Sequence, residues 1–233
     1  FWIRGDKHMK DIKDYRGNEL KYFVIANISA LLYLGKVINL QLVTSEGTYS
    51  NLIVTVINSA LFSGIVYILV LISDAIVPTR IKNAIVYWFF PLPGQVVFSK
   101  WKRKCQDERI TQKDFLKYYE KVYENMPSKK STRQYENTEW YKLYTKYDKE
   151  DKVFSSHRDY LMFRDMTTST VVMLILYIVI GSIVDFVPVC KNGIIYLLVM
   201  YAIVNVATQS RGKRFVNNVF TCDIYAKNKE KSE

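Results

Sequence analysis

NLIVTVINSALFSGIVYILVLI, residues 51–72, runs for 22 positions without a charged side chain. A helix needs about 20 apolar residues to cross a bilayer core. TVVMLILYIVIGSIV, residues 170–184, reads the same way. Both are too uniformly apolar for the stripe of a surface helix. Working outward, the apolar runs fall at about 22–44, 51–77, 168–188 and 193–209. Four membrane-crossing helices in two hairpins are expected, because only a helix satisfies its own backbone polar groups in lipid without needing a closed barrel.

The charge outside these runs sets a direction. Residues 1–21 carry +2, residues 79–165 carry +7 and residues 211–233 carry +3, while the connectors around 45–50 and 186–192 hold almost no basic residues. The positive-inside rule then places both termini and the long central segment in the cytoplasm. The expected organisation is a cytosolic lead (1–21), a first hairpin (22–77), a helical cytosolic insert (78–165), a second hairpin (166–209) and a basic cytosolic end (210–233). The expected fold class is all-α integral membrane, and the expected location is the inner cell membrane. No cleavable signal peptide is read at the start, and Met9 is a candidate natural start.

Several chemistries are poorly served by this composition. Two histidines and three cysteines without CxxC spacing argue against zinc, haem or a disulfide framework, so no metal and no cofactor is expected. No nucleophile, base and orienting group assemble into a catalytic set. HRD at His157 to Asp159 shares three letters with a kinase catalytic loop, but lacks the Gly-rich loop, the DFG and the following Asn. A secondary transporter would show matching Gly/Pro interruptions in its two halves, and these are missing.

Breaks in apolarity mark candidate sites. In the first run, read as a helix from 22 to 44, Ser29, Tyr33, Lys36 and Asn39 share about a third of the circumference. Asn51, Thr55 and Asn58 lie in the outer half of the second. These seven are the expected pore lining. Lys36 is the sharpest of them, since an ionisable group within a span lines a cavity, pairs or snorkels; Glu46 and Asp185 are its candidate partners.

The insert opens with IKNAIVYWFF (81–90), an interfacial amphipathic segment with an aromatic anchor. Residues 111–126 predict one helix, capped by Thr111 and Asp114. Residues 127–139 read as loop, and 139–147 as a second helix. From about Lys152 nothing breaks the helix before Gly181, so a cytosolic helix continues into the third span. The fourth is expected to run to about Gln209; the first half of the segment beyond it can continue as helix, and its end is expected to be frayed and solvated. Basic residues near the cytosolic face, Lys102, Arg103, Arg109, Arg158, Arg164, Arg211, Lys213 and Arg214, together with Trp140, suit a phosphate-and-base ligand through charge-assisted bonds and stacking. Lipid headgroups are the alternative ligand.

WYKLY at Trp140, HRDYLMFRD at His157 and RGKRFVNNV at Arg211, set in two hairpins with a basic aromatic insert, resemble the small membrane effectors of bacterial anti-phage defence. These include Hailong-type channel effectors and four-helix accessory proteins of some CRISPR systems. The resemblance implies a homo-oligomeric pore or membrane-disrupting effector, governed by a nucleotide or oligonucleotide that a cytosolic nucleotidyltransferase or other defence partner makes or senses. It carries over no site residues. A membrane-anchored scaffold that docks a cytosolic partner is the alternative, and a secondary transporter or lipid enzyme the third.

Overall fold

The computed structural model is described for residues 12–14, 18–36, 49–128, 131–183 and 189–232; the side chains of 49–52, 55, 231 and 232 lie outside the description. Among these residues the fold is all-helical. Four helices make an apolar bundle: α1 (Glu19–Leu34), α2 (Tyr49–Ile76), α8 (Asp151–Gly181) and the first half of α9 (Lys191–Ser232). Between α2 and α8 come α3 (Thr79–Tyr87), a 3-10 turn (Pro93–Gln95), α4 (Val97–Arg103), α5 (Gln112–Tyr118), α6 (Glu120–Glu124) and α7 (Thr132–Tyr147).

Among the described residues three helices, α2, α8 and α9, are long and apolar enough to cross a membrane. The first is shorter than the sequence suggests. At 16 residues α1 spans about 24 Å, under the roughly 30 Å hydrocarbon core. It ends because Gly35 caps it, its amide reaching Leu31 O, and Lys36 follows in the left-handed region at φ 58°. Residues 37–48, and with them Asn39, lie outside the described residues.

Leu20, Val24, Ile28, Leu31 and Leu32 recur at helical spacing on α1 and meet Val66 and Val70 of α2, Met173 and Tyr177 of α8, and Leu197 of α9. The rest of the α2 surface stays apolar and exposed, with Ile53, Ile57, Leu61, Ile65, Ile68 and Ile72 all open. An exposed apolar surface of this extent is what a lipid-facing helix presents.

The second core belongs to the insert. Phe98, Trp101, Phe115 and Tyr119 pack against Phe215, Val219 and Phe220 of α9, with Trp101 and Phe115 stacked at 4.2 Å. The chain beyond Gln209 thus continues as helix well past the first half of that segment, into the end expected to fray. It is helical through Ser232, and its apolar face forms one wall of the insert's core. The boundary expected at 209/210 falls inside an unbroken helix.

The predicted helix over 111–126 is interrupted at Tyr119, which caps α5 and leads into α6. Thr111 caps α5 as expected, accepting the Asp114 amide at 3.1 Å. The segment read as loop is largely helical, since α7 begins at Thr132. Its first turns are fixed by tertiary contact: Glu136, buried, accepts from the Ser99 amide at 3.1 Å and from the Ser99 hydroxyl. The continuity expected from Lys152 into the third span is present, α8 running 31 residues without a break.

Candidate functional site

The apolar bundle and the insert meet at a buried layer of charge. Asp74 lies in the last turns of α2, and the chain turns at Pro78 into α3, whose amphipathic spacing places Lys82, Val86 and Tyr87 inward. The Lys82 ammonium forms ion pairs with Asp74 and, at 3.4 Å, with Asp165 of α8. Arg164 donates to the same Asp165 oxygen from Nε at 3.3 Å and Nη2 at 3.1 Å. All four side chains are buried. Two cations and two anions make the group formally neutral, which is how ionised groups are held out of water.

Directly above it, Thr167, Thr168, Ser169 and Thr170 are buried in one continuous stretch of α8. Each threonine hydroxyl lies within hydrogen-bond reach of a carbonyl four residues back in its own helix, while the buried Ser169 hydroxyl has no partner among the described residues. The Thr167 and Thr208 hydroxyls lie 2.8 Å apart, and one donates to the other in place of its own helix carbonyl, joining α8 to α9. On α9 the same function is served by Tyr201, Asn205 and Gln209. The Tyr201 hydroxyl donates to Ile85 O at 2.7 Å and accepts from Trp88 Nε1 at 2.6 Å, while Gln209 donates to Val86 O at 3.2 Å. These bonds take up carbonyls at the end of α3 that have no further helical turn to pair with.

A second buried carboxylate organises the far end. Asp223 on α9 accepts from Tyr119 at 2.7 Å, Tyr147 at 3.1 Å and Lys227 at 2.6 Å. Burial first, and then the Asp223 charge, push the Tyr119 phenol well above its ordinary range. Beside it, Lys117, Lys121, Lys142 and Lys227, together with Glu120, Glu139, Tyr118 and Tyr119, line an open groove of about 390 Å³ between α5, α6, α7 and α9, in which Lys142 is paired with Glu139 and Lys227 with Asp223.

The basic residues expected to converge on one ligand divide into two groups. Arg109 pairs with Asp107 at 2.5 Å and donates to Asn218 at 2.9 Å; Arg158 and Arg211 both reach Asp159; Arg164 belongs to the buried layer. Lys102, Arg103, Lys213 and Arg214 are exposed, and no ion pair among the described residues includes them. Trp140 is a core residue. It is buried, packed edge-on to Phe215 at 5.5 Å and covered by Tyr144, so its ring has no open face for a base.

Of the residues expected to line a pore, Ser29, Tyr33 and Asn58 are exposed on the outside of the bundle, and the Ser29 hydroxyl bonds back to Ile25 O at 2.9 Å. Lys36 is exposed past the end of α1 rather than within a helix, because Gly35 ends that helix first. The side chains of Asn51 and Thr55 lie outside the described residues.

Sequence reading left the roles of Asp74, Lys82 and Asp223 unassigned. Its available signal was the pairing of an acidic residue at the end of one apolar run with a lysine eight residues on, across a proline. Comparison with family models, with curated proteins and with solved structures finds no match to this chain.

Proposed function

We propose that the chain is a multi-pass protein of the bacterial inner membrane, with both termini and the insert in the cytoplasm, that assembles into a homo-oligomeric channel or membrane-permeabilising effector governed from the cytosol. One observation carries this reading: α8 and α9 run unbroken from the insert's core into the apolar bundle, about 46 and 63 Å long, and cross the buried charge layer on the way. A displacement of the insert is thereby transmitted to the bundle by two stiff rods rather than lost in a linker.

The surface supports oligomerisation. In a single copy Tyr33 and Asn58 face outward at the depth of the bundle, where lipid offers them no partner, beside Ser29, whose hydroxyl bonds back to its own helix; a ring of copies encloses them. The likeness of WYKLY, HRDYLMFRD and RGKRFVNNV to anti-phage membrane effectors supports a defence setting with a nucleotide signal. In this fold such a ligand finds Trp140 covered, and the groove beside Tyr119 offers it Lys117 and Lys121, since Lys142 and Lys227 there are paired with Glu139 and Asp223.

Proteoliposomes loaded with a potassium-sensitive dye test the proposal. Flux that appears with protein and changes on adding nucleotides supports it. Tight vesicles under every condition, with intact membrane potential in expressing cells, reject it, and co-purification of a cytosolic protein in that case would favour the scaffold.

A further inference from the structure

Six basic side chains, none in an ion pair among the described residues, lie on α4 and its end and on α9 at the corner where the two helices meet. Gln106 donates to Lys104 O at 2.8 Å, closing the end of α4, and Asn217 donates to Gln106 O at 3.0 Å, fixing that end against α9. Lys100 and Lys213 are thereby brought together. Burial and the Lys213 charge both hold the Lys100 ammonium below its ordinary range. Lys102, Arg103, Lys104 and Arg214 extend the cluster, all exposed, and no ion pair among the described residues includes any of the six. The contrast with Arg109, Arg158, Arg164 and Arg211, each matched to an aspartate, is a contrast between charges used internally and charges left for something outside.

The height of this cluster identifies that something. Gly212, one residue before Lys213, lies against Tyr87, and the next residue in α3's chain direction is Trp88, in the left-handed region at φ 53°. A bulky residue is costly there, and the turn throws Trp88, Phe89 and Phe90 outward, Phe89 to 97 % exposure. Trp88 and Phe89 join Ile81, Ile85, Val171 and Tyr201 around an open apolar groove of about 450 Å³ between α3, α8 and α9. Along α9, Tyr201, Gln209 and Lys213 descend in order from this groove to the basic corner. Apolar groove, aromatic rim and basic shelf follow the order of acyl chain, carbonyl level and phosphate in one leaflet.

We propose that this corner is a binding site for an anionic phospholipid, its acyl chain in the α3–α8–α9 groove and its phosphate on Lys100 and Lys213. The site rests on the membrane reading above but not on channel activity. A zwitterionic lipid fills the groove without gaining the excess charge on the shelf, and a free phosphate meets the shelf without the groove.

The test uses the full chain in detergent micelles, titrated with phosphatidylglycerol, phosphatidylcholine or inorganic phosphate, with retained lipid counted by native mass spectrometry and thermal unfolding followed in parallel. The expected result is about a thirtyfold preference for phosphatidylglycerol over phosphatidylcholine, the size two basic residues supply at about 1 kcal/mol each. Lys100→Gln with Lys213→Gln should abolish that preference while leaving lipid-free unfolding unchanged, and Trp88→Ala with Phe89→Ala should weaken both lipids alike. Equal retention of the two lipids, a preference that survives the lysine double variant, or the same stabilisation from inorganic phosphate alone overturns the site. Protein that stays in solution without detergent rejects the membrane reading itself.

Discussion

Among single residues, the four-charge layer makes the sharpest prediction. Lys82 is the cation shared by Asp74 and Asp165, and its side chain is 4 % exposed. Lys82→Met leaves the layer with a net negative charge, and a loss of about 3 kcal/mol is expected. Adding Asp165→Asn restores formal neutrality and should recover part of that loss, a coupling that chemical unfolding of the two single variants and the double variant will measure. Gly212 tests shape rather than charge. A Cβ there would lie 2.5 Å from the Tyr87 hydroxyl, so Gly212→Ala should cost about 1–3 kcal/mol, and Tyr87→Phe in the same chain should relieve much of it. Asp107 supplies the pH dependence. Its hydrogen bond from Arg109 holds the carboxyl below the usual range, against the opposing effect of partial burial. A carboxyl depressed in the folded state stabilises above its unfolded value and loses that contribution as pH falls through the folded one. Wild type should therefore exceed Asp107→Asn in stability near neutral pH and converge with it in acid titrations once the pH has fallen through the depressed folded value.

At the level of elements, α8 and α9 differ from the rest of the insert in how they are held. Between residues 164 and 170 of α8 and 204 and 208 of α9, buried hydroxyls back-bond to their own helices and bridge the pair. Amide hydrogen exchange should be slowest there and fastest in α5 and α6, two short helices split at Tyr119. Uniform exchange along α8 would contradict the picture of a locked junction. The same elements show where sequence reading succeeds and fails. The unbroken α8 was legible because no Gly or Pro interrupts 151–180. Residues 132–138 read as loop because TRQYENT carries no apolar stripe; its helix depends on Glu136 reaching Ser99 from another element. The C-terminal half of α9 looked like a basic tail because its apolar positions, Phe215, Val219 and Phe220, gain meaning only when α4 and α5 cover them.

For the whole molecule, orientation is the open quantity with the simplest measurement. The three cysteines are free, Cys105 exposed on the insert and Cys190 half-buried at the opposite end of the bundle beside Tyr177. A membrane-impermeant maleimide should label Cys105 promptly in inverted vesicles and leave it untouched in sealed right-side-out vesicles. Labelling of Cys105 from the outer side would reverse the proposed topology and, with it, the side from which the protein is controlled.

Hydrophobic length and charge placement determined the helical class, the long apolar helices and the basic character of the insert, because those properties depend on composition along a local segment. Tertiary structure decided which charges are spoken for. Nothing in the spacing of Asp74, Lys82 and Asp165 shows that one ammonium serves two carboxylates, or that Arg109 and Arg211 are matched while Lys100 and Lys213 are crowded together. Electrostatic free energy depends on distances between groups far apart in the chain and on the water removed from around them, and only the packing of α3, α4, α8 and α9 sets both.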